Sequence, residues 1–252
     1  MSKRSVLLSF FLSTAAVVVA FLAASLPVLA SSNSFRGGTF GVDISYPNKT
    51  NYPQTLPTGS TFGIVGVTAG HAFTQNSYLS KQYVWVTDKG LYPSLYMNLN
   101  YAIVSTAKGN TGSCAPGDKA CQAYNYGANA AADALSYAEK EKATANLWWL
   151  DIETANSWSP NTSLNDQVII GAVDYLTSQG KTVGIYSTAA MWRSIAGTSY
   201  NPGLPNWIPE STGLDSATMQ SYCSSGYAFG GGSVAVVQYY NGSYDLDYAC
   251  QQ

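Results

Sequence analysis

Leu147-Trp148-Trp149-Leu150-Asp151-Ile152-Glu153-Thr154 is the stretch on which the reading of this chain turns. An apolar run without a breaker reads as a buried strand. It ends in two carboxylates spaced i, i+2, which a strand projects to the same side. A strand core does not tolerate unpaired charges cheaply, so paired acids delivered at a strand's C-terminal end point to acid/base chemistry. The competing reading is a strand running out into a solvated loop.

Outward from that stretch, further strands alternate with helical segments. Towards the N-terminus lie Thr39 to Ser45, Phe62 to Thr68 and Leu91 to Leu99 as strands. A helical pattern from Gln75 to Lys89 stops at Gly90, and an alanine-rich helix is expected from Gln122 to Lys142. Towards the C-terminus, Ser163-Leu164-Asn165-Asp166 has the spacing of a helix start, with Leu164, Val168, Ala172, Val173 and Leu176 as the buried stripe. Strands follow at Thr182 to Ser187 and Ser233 to Tyr240, with a short one at Pro205 to Pro209 and a helical turn at Asp215 to Cys223. Asp245-Leu246-Asp247-Tyr248 comes after an Asn241-Gly242 turn. This alternation predicts an α/β fold: a single TIM-like (β/α) barrel with a reduced set of helices. A doubly wound sheet would want a phosphate-binding glycine loop after a strand, and Gly230-Gly231-Gly232 precedes one instead.

Residues 1–30 read as a signal peptide: Lys3 and Arg4, an apolar run from Ser5 to Leu29, and a small-residue cleavage pattern at Val28-Leu29-Ala30. The run is long enough to span a bilayer, so an uncleaved anchor is the alternative. Residues 31–252 then form the barrel domain, outside the cytoplasm, with no membrane association once the signal is removed. The four cysteines fit export and are expected to pair as Cys114–Cys121 and Cys223–Cys250, although three pairings exist. A metal site is not expected, with no CxxC motif and a single histidine, His71. No cofactor is implied. The chain carries a net charge of −2 and no basic stripe, which argues against nucleic acid as a partner.

Asp43, Asp151, Glu153 and Asp245 all fall at or just after strand ends, which converge on one face of a β/α barrel. Glycoside hydrolysis needs one carboxyl group to protonate the leaving oxygen and another to stabilise the cationic centre or activate water. Crowding acids raises the pKa of one of them, so that it keeps its proton near neutrality. A Ser-His-acid triad lacks a GxSxG elbow.

Five motifs in order resemble the family 25 glycoside hydrolases, the muramidase lysozymes: Gly41-Val42-Asp43-Ile44-Ser45, Gly90-Leu91 with Tyr96, Leu150-Asp151-Ile152-Glu153, Gly184-Ile185-Tyr186-Ser187, and Val237-Gln238-Tyr239-Tyr240 with Asp245-Leu246-Asp247. Tyr46-Pro47-Asn48 stands where that family commonly has a tryptophan. Family 18 chitinases also end a strand in DxE, but Trp149 and Asn146 occupy the places of their additional aspartates. The resemblance implies an exported, monomeric, peptidoglycan-cleaving hydrolase. Glu153 would be the general acid, with Asp151, Asp43 and Asp245 completing the cluster. Tyr96, Tyr186 and Gln238 would line the sugar cleft, and Asn98 shares the face of Tyr96. The alternative is a non-catalytic glycan- or cell-wall-binding barrel using Trp148, Trp149, Trp158 and tyrosines as stacking platforms, though core packing is the expected role of the strand tryptophans.

Overall fold

A computed structural model describes residues 35–101, 113–210 and 215–251. The expected signal segment and residues 102–112, ahead of Cys114, lie outside the described residues. Eight strands form a closed barrel in sequence order: β1 (Phe40–Ile44), β2 (Ser60–Gly66), β3 (Tyr92–Asn98), β4 (Leu147–Asp151), β5 (Thr182–Tyr186), β6 (Asn206–Glu210), β7 (Val234–Tyr240) and β8 (Asp245–Ala249). Neighbours from β1 to β7 run parallel. The last strand differs: β8 is antiparallel to both β7 and β1. The Asn241-Gly242 turn is too short for a crossover and makes a hairpin instead.

Among the described residues five α-helices accompany the strands: α1 (Leu79–Asp88), α2 (Lys119–Lys140), α3 (Thr162–Ser178), α4 (Ala189–Ala196) and α5 (Ser216–Tyr222). Eight strands with five helices match the expected reduced barrel. Three helix starts differ from the sequence expectation, α1 beginning at Leu79 rather than Gln75. α2 begins three residues early because the Asp118 carboxylate accepts from Cys121 N at 3.0 Å. α3 is capped by Asn161 rather than Ser163, its side-chain oxygen accepting from Ser163 N at 3.1 Å. The buried stripe of α3 includes Asn165 and Ile169 beside Val168, Ala172 and Leu176, whereas Leu164 and Val173 are only partly buried.

The period-two alternation of the strands divides the core into two layers. Outward residues such as Val42, Val65, Met97, Trp148, Leu150 and Ile185 belong to the layer beneath the helices. Inward residues Phe62, Ile64, Leu147, Trp149, Trp207 and Val236 fill the lumen. The strand tryptophans thus pack on opposite sides of one sheet: both are buried, and neither is a surface platform. Gly184 exists for Trp149, since a Cβ there would come within 2.3 Å of the indole. Phe35 stacks on Phe62 at 3.9 Å and reaches into the N-terminal end of the barrel. Both expected disulfides are present, Cys114–Cys121 and Cys223–Cys250. The second ties the end of α5 to the residue after β8.

Candidate active site

The lumen row of each strand decides what reaches the barrel mouth. Asp43 lies between outward-facing Val42 and Ile44 on β1, so its carboxylate turns inward. Asp151 ends β4 on the same row as Trp149, and Asn98 ends β3 directly opposite it. Tyr186 ends β5 and pairs with Asp151. Because β8 runs the other way, its first residue, Asp245, sits at the end where the parallel strands finish. The four expected acids therefore share one end of the barrel, the end where such folds hold their chemistry.

Hydrogen bonds knit these side chains together. Tyr186 OH donates to Gln238 Oε1 at 2.7 Å, and Gln238 Nε2 donates to Asp43 Oδ2 at 3.0 Å. Asn98 Nδ2 donates to Asp151 Oδ2. The Asn98 amide is oriented from behind by Thr68, whose hydroxyl donates to Asn98 Oδ1 at 2.7 Å and accepts from Asn98 N at 2.9 Å. Asn98 and Gln238 thus turn their amides toward acids. Tyr96 is half-buried, its ring lying over Gly66 and edge-on to Trp207 at 5.9 Å. Glu153, two residues past β4, is more open than Asp151, and its own carbonyl accepts from Trp158 Nε1 at 2.9 Å. Trp158 is half-buried and braces that loop.

A fifth acid, Asp247, belongs to the same group. It is fully buried, takes Trp207 Nε1 on Oδ1 at 2.9 Å, and pairs across the hairpin with Gln238. Its Oδ2 and Asp151 Oδ1 are buried with no partner among the described residues. A second carboxylate spaced i, i+2 from Asp245 is the same sequence signal that singled out Asp151 and Glu153.

Such crowding has one electrostatic outcome: the cluster resists full ionisation. Burial, then the charge of Asp245, push Asp43 up to about 8, against the opposing bond from Gln238. Burial, then the charges of Glu153 and Asp43, hold Asp151 well above the usual carboxylate range. Asp247 is raised in the same way by burial and then by Asp43, with the Trp207 bond opposing. Burial raises Asp245 as well. Glu153 is raised by burial and lowered by the nearby Tyr186 hydroxyl. That hydroxyl has one proton, so it serves Gln238 or Glu153 at a given moment. The arrangement can keep a protonated carboxyl beside an ionised one near neutral pH, the requirement for protonating a leaving oxygen while stabilising a cation. By contrast, the cavity of about 580 Å³ lined by Phe35, Leu147, Trp149, Ala235 and Cys250 has no ionisable side chain in its wall among the described residues. His71 is exposed in the turn after β2 and belongs to no such constellation.

Residues 118–240 match the family model described as Lysozyme-like protein 1, a span that includes Asp151, Glu153, Tyr186 and Gln238. The chain is 32% identical over 109 residues to the probable GH family 25 lysozyme 4 of Dictyostelium discoideum, covering 42% of this chain and 47% of that protein. It is likewise 32% identical over 97 residues to lysozyme 3 of the same organism, covering 38% of this chain and 19% of that protein. The chain therefore spans less than half the length of these curated relatives. Among solved structures, a family 25 glycosyl hydrolase from Bacillus anthracis superposes with a TM-score of 0.56 at 12% identity, over 85% of this chain and 89% of that one. A muramidase from Acremonium alcalophilum gives 0.53 at 18% identity, over 85% and 94%. The chain thus shares the barrel fold of the family 25 structures and resembles lysozyme-like proteins over residues 118–240.

Proposed function

We propose that the protein is an exported glycoside hydrolase that cleaves the glycan strand of peptidoglycan by carboxylate acid catalysis. The single observation that carries this reading is the convergence of Asp43, Asp151, Glu153, Asp245 and Asp247 on one barrel mouth, with shared protons enforced by burial. A barrel that only bound glycan would gain nothing from such a group, because each buried carboxylate weakens the fold.

Glu153 is the general acid: it is open enough to meet a glycosidic oxygen and, raised by burial, keeps its proton more readily than a free glutamate. Its proton passes to the leaving oxygen as the C–O bond breaks. Asp245, on the rim of the cluster and less buried than Asp43, Asp151 and Asp247, stabilises positive charge at the anomeric carbon. Asp151 and Asp43 are held above the usual carboxylate range beside it, so the group carries few charges at once, and Asp43 is aimed by Gln238. Asn98, Gln238 and Tyr186 act chiefly by orienting acids, and Tyr96 forms half-buried floor. Removal of residues 1–30 as a signal peptide delivers the monomeric barrel to the cell exterior, where its disulfides persist.

The test is release of reducing sugar from purified peptidoglycan and from chitin, with wild type and Glu153→Gln. The amide keeps the shape but has no proton to donate, so kcat/KM on peptidoglycan should fall by about a thousandfold or more with an unchanged melting temperature. Full activity in Glu153→Gln would remove that residue from the mechanism. A folded, inactive wild type that still pulls down either polymer would make the barrel a binding module.

A further inference from the structure

One aromatic side chain at the mouth has no part in the chemistry above. The lumen row of β7 runs Val236, Gln238, Tyr240, with Val236 in the lumen cluster and Gln238 bonded to Asp43. Tyr240 is therefore the next inward-facing residue toward the open end. It is directly opposite Asp245 in the β7–β8 hairpin, which puts the two Cβ atoms about 5 Å apart on one face. Despite that inward position Tyr240 is 51% exposed, and its hydroxyl has no protein partner among the described residues. An aromatic ring on a lumen row normally packs into the barrel, as Trp149 and Trp207 do. This one stands beyond the packed layers with a face bare beside an acid.

The hairpin holds it there. Asn241 Oδ1 accepts from Ser243 N at 3.0 Å and from Tyr244 N at 2.9 Å, while Asn241 N donates to Tyr244 O at 3.1 Å. Tyr244 OH in turn donates to Asn51 Oδ1 at 3.1 Å, tying the hairpin tip to the loop between β1 and β2. The ring is thus mounted on a braced turn, and little conformational freedom is lost when something covers it.

A pyranose unit matches this environment. Its axial C–H groups make one apolar face, while its equatorial hydroxyls project sideways toward acceptors. We infer that Tyr240 is a stacking platform that takes the apolar face of one pyranose unit of the glycan chain, placing that unit's edge against Asp245. The inference rests on the glycan-hydrolase reading above and adds to it a sugar-binding residue outside the acid group.

The experiment measures binding to insoluble peptidoglycan in the Glu153→Gln background, and turnover of peptidoglycan in the wild-type background, for Tyr240→Ala, Tyr240→Phe and Tyr227→Ala. Covering about 50 Å² of apolar surface corresponds to about eightfold in affinity. Tyr240→Ala should weaken binding and raise KM by about that factor, with kcat within about twofold. Tyr240→Phe should retain at least half of the affinity, since the ring does the stacking. Tyr227→Ala, at an exposed tyrosine off the barrel strands that packs edge-on to Tyr222, should change neither. If Tyr240→Ala hydrolyses and binds like its parent, the platform falls and the hydrolase reading stands. If the parent protein neither binds nor cuts peptidoglycan or chitin, both fall together. A loss of kcat in Tyr240→Ala at unchanged KM would also overturn the inference.

Discussion

Asp43→Asn should stabilise the protein, and only when the solution is not acidic. Burial raises this carboxyl from 3.8 to about 8 in the folded state. The folded state therefore holds the proton where the unfolded chain has lost it, so the folded state binds more protons across that interval. Stability then falls as pH rises from about 4 to about 8, by about 1.4 kcal/mol for each pH unit. Across the whole interval the upper bound is about 5–6 kcal/mol. Asp151, Asp245 and Asp247 are raised beside it and share protons with it, so its own part is smaller. Asparagine is a neutral isostere that can still accept from Gln238 Nε2. We therefore expect a gain of about 2–4 kcal/mol at pH 8, about 5–12 °C in Tm for a chain of this size, and almost none at pH 4. Urea unfolding followed by tryptophan fluorescence at pH 4, 6 and 8 would measure it. Equal effects at pH 4 and pH 8, or a variant less stable than wild type at pH 8, would refute the argument that Asp43 is held neutral by its surroundings.

The other expectations concern parts of the structure remote from the acids. Gly127 on α2 meets α3 so closely that a Cβ would come within 1.8 Å of the Val168 carbonyl oxygen. Gly127→Ala should therefore cost about 2 kcal/mol or more, read as a lower midpoint in urea with an unchanged slope. Replacing the Cys223–Cys250 pair with serines should cost about 3–4 kcal/mol, since the bridge closes a separation of 27 residues. The Cys114–Cys121 pair closes only 7, and its loss should cost about 1 kcal/mol less. Equal Tm losses for the two double variants would mean that loop entropy is not what these bridges contribute.

What the sequence could disclose depended on whether the signal was local. Asp43 between Val42 and Ile44, and the apolar run into Asp151, are period-two patterns within a few residues, so both strands and the direction of their acids were legible. Gln238 and Asn98 were legible as residues of the site, but not their task. Their partners Asp43, Tyr186 and Thr68 are between 30 and 195 residues away in sequence. Asp247 was within reach, carrying the same two-residue spacing as the pair on β4. Its holder, Trp207, is 40 residues away and could not be read from spacing. The helix caps failed for a different reason. Asn161, Thr162 and Ser163 can each cap a helix, and only the backbone path decides which side chain turns back.

The pairing of β1 with β8 has a consequence for biosynthesis. Asp43 is among the first residues of the barrel and Asp245 among the last, yet Val42 lies opposite Leu246 in the closed sheet. A portion that stops before β8 lacks Asp245 and Asp247 and leaves β1 without the partner that closes the barrel. Contacts of such long sequence separation also form late, because a long loop must be closed before they bring any return. A partly made chain thus carries Asp151 and Glu153 without the strand that sets their surroundings. Assembly of the acid group is thus tied to closure of the barrel, by topology alone.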